Sequence, residues 1–137
     1  MSEVYVLPCE DDPTKIAGFY NISNACITRG ELSNGDQKKT LSGQPIPVFI
    51  VPYLGRDHRS QPGLGAVLIV DAAKRGRSRG TASWGLMLYA ENAGLIKYYE
   101  SLGFKLARTA KSRVEKEPGG HNFQMYGRYE DLIVDSA

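Results

Sequence analysis

Cysteine is scarce in this chain. Cys9 and Cys26 are the only two, with neither metal-ligand spacing nor the company a disulfide framework needs, so both read as reduced, structural residues and no metal is expected. No apolar run approaches the ~18 residues that cross a bilayer, and the N-terminal MSEVYVLPCEDD lacks the basic-then-apolar order of a secretion signal. The expectation is a cytoplasmic protein with no membrane contact. Charge of one sign is also in short supply: 17 Lys and Arg face 15 Asp and Glu, a net +2. That balance argues against a nucleic-acid-binding module, and the basic segments lack interleaved aromatics as well. No repeat, low-complexity tract or linker breaks the 137 residues, which suits a single domain over 1–137 with one core.

What is present is organised around Pro47 to Lys74, PVFIVPYLGRDHRSQPGLGAVLIVDAAK. An apolar strand over Val48 to Leu54 feeds a basic, glycine-punctuated loop. The loop opens onto a segment in which Leu64, Val67, Leu68 and Ala72 recur at helical spacing. Pro52 cannot donate to a ladder, so it marks a bulge or a free edge in that strand. Gly63 and Gly65 have no side chains, which lets N–H groups at the helix start approach an anion, aided by the helix dipole. Arg56, His58 and Arg59 add positive charge. A phosphate-bearing ligand suits this loop; a tight turn is the plainer alternative.

Further on, LMLYAENAGLIKYYESLGF carries a strand over Trp84 to Ala90 and a helix over Ala93 to Leu102. Asn92 stands where a helix N-cap belongs and Gly103 where a C-cap does. Elsewhere, Val4 to Leu7 and Lys15 to Thr28 predict a hairpin. Gly30 to Pro45 reads as a polar connection with a single helical turn. Phe104 to Arg113 and His121 to Tyr129 read as arms of a final hairpin around a Pro-Gly-Gly turn, and the tail EDLIVDSA as loose. The first helix should end between Gly76 and Arg79. Lys74, Arg75, Arg77 and Arg79 at its exit suit the negative end of its dipole; a patch for RNA phosphates is the functional alternative.

The two regions together resemble the signatures of the GCN5-related N-acetyltransferases (GNAT). These are a pyrophosphate loop of form Q/R-x-x-G-x-G/A and a later N-x-x-A-x-x-x-Y-E-x-x-G-F helix. The second is matched by Asn92, Tyr99, Glu100, Gly103 and Phe104, with Leu95 where the family prefers alanine. The loop is most similar to that of small acetyltransferase toxins of toxin-antitoxin pairs, L-x-x-D-R-R-Y-Q-G-x-G-L-G. Here it runs Leu54, Asp57, His58, Arg59, Ser60, Gln61, Pro62, Gly63, Leu64, Gly65, one residue short. Either Ser60 takes the family's Gln/Arg place by count, or Gln61 takes it with a deletion behind it.

The resemblance implies an α/β (α+β) acyl-CoA N-acyltransferase fold, a mostly antiparallel mixed sheet with a V-shaped split between two central strands. Relative to the family, the chain lacks the usual N-terminal strand and helices, which wall the acceptor side. It further implies acetyl-CoA as co-substrate, its arm along the backbone of Leu54, Gly55 and Arg56. The pyrophosphate would lie at Arg59, Ser60, Gln61, Gly63, Leu64 and Gly65, with Asn92 a cap that also touches the cofactor or a plain cap. Tyr99 would be the acid for the departing thiolate, while Tyr98 beside it reads as core or surface. No base declares itself among Asp57, His58 and Glu91. The acceptor implied is a primary amine: aminoacyl-tRNA, a small molecule or a protein. A homodimer and a ribbon-helix-helix antitoxin are the implied partners. The rival is a degenerate domain that binds acetyl-CoA, or only dimerises, without turnover.

Overall fold

A computed structural model of the chain describes residues 2–9, 14, 16–40, 45–52, 54–56, 64–79 and 83–132. Its sheet begins with the expected hairpin: β1 (Ser2–Pro8) lies antiparallel to β2 (Ile16–Ile27), with Tyr5 opposite Tyr20 and Val6 opposite Phe19. Both segments are rich in the β-branched and aromatic residues that favour extended backbone. With 12 residues, β2 carries two more partners on its other edge, β3 (Ile46–Ile50) and β4 (Leu54–Arg56). The polar connection between β2 and β3 holds a 3-10 turn at Arg29–Glu31 and one turn of helix, α1 (Asn34–Gln37). There follow α2 (Leu64–Arg79), β5 (Gly85–Ala90), α3 (Ala93–Ser101), β6 (Lys105–Leu106), α4 (Arg108–Lys116), β7 (Phe123–Arg128) and α5 (Tyr129–Leu132).

The strand order is β1-β2-β3-β5-β7-β6, with β4 beside β2. Only β3 and β5 run parallel among the described pairs. Side chains alternate between the faces. On one face, Leu86, Leu88 and Ala90 of β5 meet Leu68, Ile69, Ala72 and Ala73 of α2, Ile96 of α3 and Ala110 of α4. On the other, Met87 lies with Ile27, Ile46, Val48 and Tyr126 under Leu32 of the polar connection. Cover on this second face runs out toward β1, where Val4, Val6 and Phe19 are exposed.

Two expectations are corrected. Phe104 to Arg113 is not a hairpin arm: only Lys105 and Leu106 pair with β7, and Arg108–Lys116 is helix. Ala107, Ala110 and Val114, at spacings of three and four, turn one apolar stripe to the core, and that period is helical. Nor is the whole tail loose, since Tyr129–Leu132 forms a helical turn with Leu132 buried over Gly127. A Cβ at Gly127 would stand 2.7 Å from Leu132 Cδ2. Residues 133–137 lie outside the described ones.

The polar connection is fastened by a group the sequence did not advertise. Ser33 caps α1, its Oγ accepting from the Asp36 N–H at 3.3 Å, while its own N–H donates to Tyr126 Oη at 2.8 Å. Asp36 is only 2% exposed. Its carboxylate accepts from Ser33 Oγ at 3.0 Å, Tyr126 Oη at 2.9 Å and Lys105 Nζ at 2.9 Å, and pairs with Arg128 Nε at 3.3 Å. Burial alone would raise its pKa. The hydrogen bonds from Lys105, Tyr126 and Ser33 outweigh that and hold it below the ordinary value.

The end of α3 is just as closely specified. After the C-cap Leu102, Gly103 takes φ 109°; its N–H donates to Glu100 O at 3.1 Å and the Phe104 N–H to Tyr99 O at 3.1 Å. These are the two bonds of a Schellman motif, and its usual apolar contact is here the Phe104 ring 6.0 Å from that of Tyr99. The Gly-Phe of the helix motif is thus what anchors Tyr99.

Two outcomes follow. Asp36→Ala leaves Arg128 and Tyr126 facing an empty site and should cost about 3 kcal/mol or more in denaturant unfolding. The folded carboxyl pKa is depressed, so the stabilisation is full above 3.8 and fades as pH falls below it; Asp36→Asn should flatten that acid limb. Gly103→Ala forces a side chain into positive φ and within 2.5 Å of Asp131 O. It should lower stability by about 2 kcal/mol, and an unchanged melting temperature would refute that account of the cap.

Candidate active site

The site begins with a parting of strands. β3 and β5 are in register over Phe49 and Ile50 opposite Leu86 and Met87. Their ladder closes with Trp84 N–H to Pro47 O and Val51 N–H to Met87 O, each 2.9 Å. Among the described residues it stops there; successive N–H groups of a strand face opposite edges, so the hydrogen that the next residue, Pro52, lacks is one that would have faced β2. Ile50 is opposite Ser23 and Leu54 opposite Tyr20, so three residues of one strand span two of the other. That is a β-bulge, as Pro52 led us to expect. β4 follows β2 away from β5, whose Leu88, Tyr89 and Ala90 pair with β7 alone among the described residues. The expected strand over Val48 to Leu54 is therefore two strands bent at Pro52, and the V-shaped split lies beyond the bend.

The backbone of Leu54, Gly55 and Arg56 forms β4. One edge is bonded to Tyr20, Phe19 and Gly18 of β2, and the other, toward the split, has no strand partner among the described residues. Leu64 and Gly65 open α2, whose first-turn N–H groups have no intrahelical partner. Arg59, Ser60, Gln61 and Gly63, with Asp57, His58 and Pro62, fall outside the described residues.

Across the split stands α3. Asn92 is its N-cap, with Oδ1 accepting from the Leu95 N–H at 3.1 Å; the capping half of its expected role is met. Tyr99 is half-buried against the core cluster that holds Val51 and Leu88, residues on either side of the parting. Burial pushes its pKa up, and the nearby Tyr98 and Glu91 push the same way. The phenol therefore keeps its proton through neutral pH. Glu91 is exposed beside the cap.

The basic exit of α2 is partly spent within the fold. Asp71 accepts from Arg75 Nε at 3.0 Å and from the Tyr20 hydroxyl, and the Arg75 guanidinium lies 4.1 Å over the Tyr5 ring. Arg79 pairs with Glu3, whose pKa the Arg79 and Tyr5 hydrogen bonds bring down to about 2. Lys74 and Arg77 remain exposed. One contact went unforeseen: a Cβ built on Gly65 would overlap the Tyr98 hydroxyl. Tyr98 thus reaches from α3 to the mouth of α2, and only the proximity of the two motifs in space could have disclosed it.

Among the described residues no group of His, Cys, Asp and Glu could hold a metal, and no helix is long and apolar enough to cross a membrane. No family model matches the chain. Solved structures do. AtaT complexed with acetyl-methionyl-tRNAfMet is 22% identical with a TM-score of 0.73, over 94% of this chain and 72% of that one. A tyrosine-to-phenylalanine mutant of KacT is 22% identical at 0.74, over 96% and 73%. AtaTR bound with AcCoA is 21% identical at 0.66, over 96% and 72%. The chain thus spans about seven tenths of each. Its fold is that of the AtaT and KacT toxins, the GNAT acetyltransferase fold that the two sequence motifs imply.

Proposed function

We propose that this chain is an acyltransferase that moves an acetyl group from acetyl-CoA to a primary amine. The observation that carries the reading is the parting of β4 from β5, with the mouth of α2 on one side and a protonated, half-buried Tyr99 on the other. The edge of β4 that has no strand partner among the described residues offers the amide groups that an extended pantetheine arm would bond. The α2 N-terminus offers N–H groups and a dipole to its diphosphate.

In the reaction the amine nitrogen attacks the thioester carbonyl carbon, and the carbonyl oxygen takes the charge. A backbone N–H at Leu54 to Arg56 receives that oxyanion. Collapse breaks the C–S bond; Tyr99 gives its proton to the departing thiolate and is reprotonated from solvent, where the new amide nitrogen loses its extra proton. A phenol with ordinary pKa near 10 and a thiol near 8.5 are close enough to share that proton in the transition state. No protein base is required for an acceptor α-amine, whose pKa of about 8 leaves a usable neutral fraction.

For the acceptor we favour aminoacyl-tRNA, in keeping with the acetyl-methionyl-tRNAfMet in the AtaT complex. Exposed Lys74 and Arg77 would supply phosphate contacts, while Arg75 and Arg79 are engaged elsewhere. An antitoxin is the matching protein partner, as AtaR is in the AtaT complexes, and we extend this to a ribbon-helix-helix antitoxin and a homodimer. A second reading, a domain that binds acetyl-CoA without turnover, draws on the exposed Val4, Val6 and Phe19: that face lacks the cover an acceptor wall would give.

Thiol release from acetyl-CoA with charged tRNA or a pool of amines decides between the two. Tyr99→Phe should lower kcat by about a hundredfold, the usual scale for a general acid, with acetyl-CoA affinity within about twofold of the parent. Because the acid's pKa is raised, the alkaline limb of the parent's rate should lie above pH 10. Equal rates in parent and variant would remove Tyr99 from the mechanism.

A further inference from the structure

Tyr98 is exposed, large and aromatic, and it sits beside the proposed acid without any part in the mechanism above. Its position is not that of an idle surface ring. A Cβ added at Gly65 would overlap the Tyr98 hydroxyl and stand 3.4 Å from Cζ. Cα–Cβ bonds in a helix tilt toward its N-terminus. The hydroxyl that occupies the place of a Cβ on Gly65, the second described residue of α2, therefore lies toward the start of that helix, beside the N–H groups of its first described turn. Tyr98 fills the room that the glycine leaves. Its ring is held there edge-on to Tyr99, centroids 5.5 Å apart, and Tyr99 is in turn fixed by the Schellman turn at Gly103.

On the coenzyme reading above, we propose that Tyr98 is a binding residue for the diphosphate, its hydroxyl donating a hydrogen bond to a phosphate oxygen beside the amides of α2. Helix N–H groups satisfy an anion from one side only. A phenol O–H at the flank adds a donor that a side chain on residue 65 would exclude, and this gives Gly65 a second use besides backbone approach. Two adjacent tyrosines then divide the coenzyme between them, Tyr98 at the diphosphate and Tyr99 at the thioester. The outer basic groups of α2 are poor candidates for the same task, since Arg75 and Arg79 are tied to Asp71 and Glu3.

The test compares two acetyl donors, acetyl-CoA and acetyl-pantetheine, which has the thioester arm but no phosphate. Tyr98→Phe should raise KM for acetyl-CoA about tenfold, the loss of one hydrogen bond to a charged group. Its kcat should stay near the parent's, and the rate with acetyl-pantetheine should not change. Gly65→Ala should carry a similar penalty by displacing the hydroxyl, and the double variant should be little worse than either single one. An unchanged KM for acetyl-CoA in Tyr98→Phe, an equal loss with both donors, or penalties that multiply in the double variant would each overturn the role of Tyr98. Calorimetry on the parent separates the two levels: no acetyl-CoA binding sinks the coenzyme reading and this one with it, whereas parent binding that Tyr98→Phe leaves intact sinks this one alone.

Discussion

A single missing donor sets the geometry of this molecule. Pro52 follows directly on the residue whose N–H makes the last described bond between β3 and β5, so it faces the opposite edge, and the hydrogen it lacks is one that would have continued the pairing with β2. The bulge against β2 then carries β4 off with the hairpin. Every later property of the site depends on that divergence. It leaves one edge of β4 without a strand partner among the described residues, and on the reading proposed above that edge, the start of α2 and Tyr99 share one ligand.

The two helices that flank the gap are held by different means. α3 is specified at both ends by local chemistry, Asn92 at one and the Gly103-Phe104 turn at the other, so its tyrosines are placed by hydrogen bonds close in sequence. α2 is placed by burial of Leu68, Ile69, Ala72 and Ala73 and by the layer of Glu3, Tyr5, Tyr20, Asp71, Arg75 and Arg79 between it and the β1–β2 hairpin. In that layer aromatic rings and ion pairs alternate. Its cations answer nearby carboxylates, which is why a run that looks strongly basic in sequence is much less so in space.

Much of this was legible in the residues. The hairpin, α2, β5 and α3 each carry a local signal: β-branched runs, a helical apolar stripe, a cap asparagine, a terminal glycine. Pro52 announced the bulge because the reason is covalent. What escaped was what depends on partners distant in the chain. Asp36 looked like one more polar residue in a polar connection, and its burial is decided by Lys105, Tyr126 and Arg128, about seventy to ninety positions on. Tyr98 could not be placed without knowing that α3 lies over the start of α2. The segment after Phe104 was misread for another cause: its alanines at positions 107 and 110 form a helical stripe so weakly apolar that the neighbouring β6 pattern hid it.

The parallel seam between β3 and β5 holds few main-chain bonds, and it joins two halves of the sheet, β1 to β4 on one side and β5 to β7 on the other. Such a narrow weld concentrates bending at one line. Any guest that bridges both halves acts as a brace across it, so occupancy and rigidity become coupled quantities. Resistance to heat would then report on the contents of the gap as directly as an assay of the chemistry does.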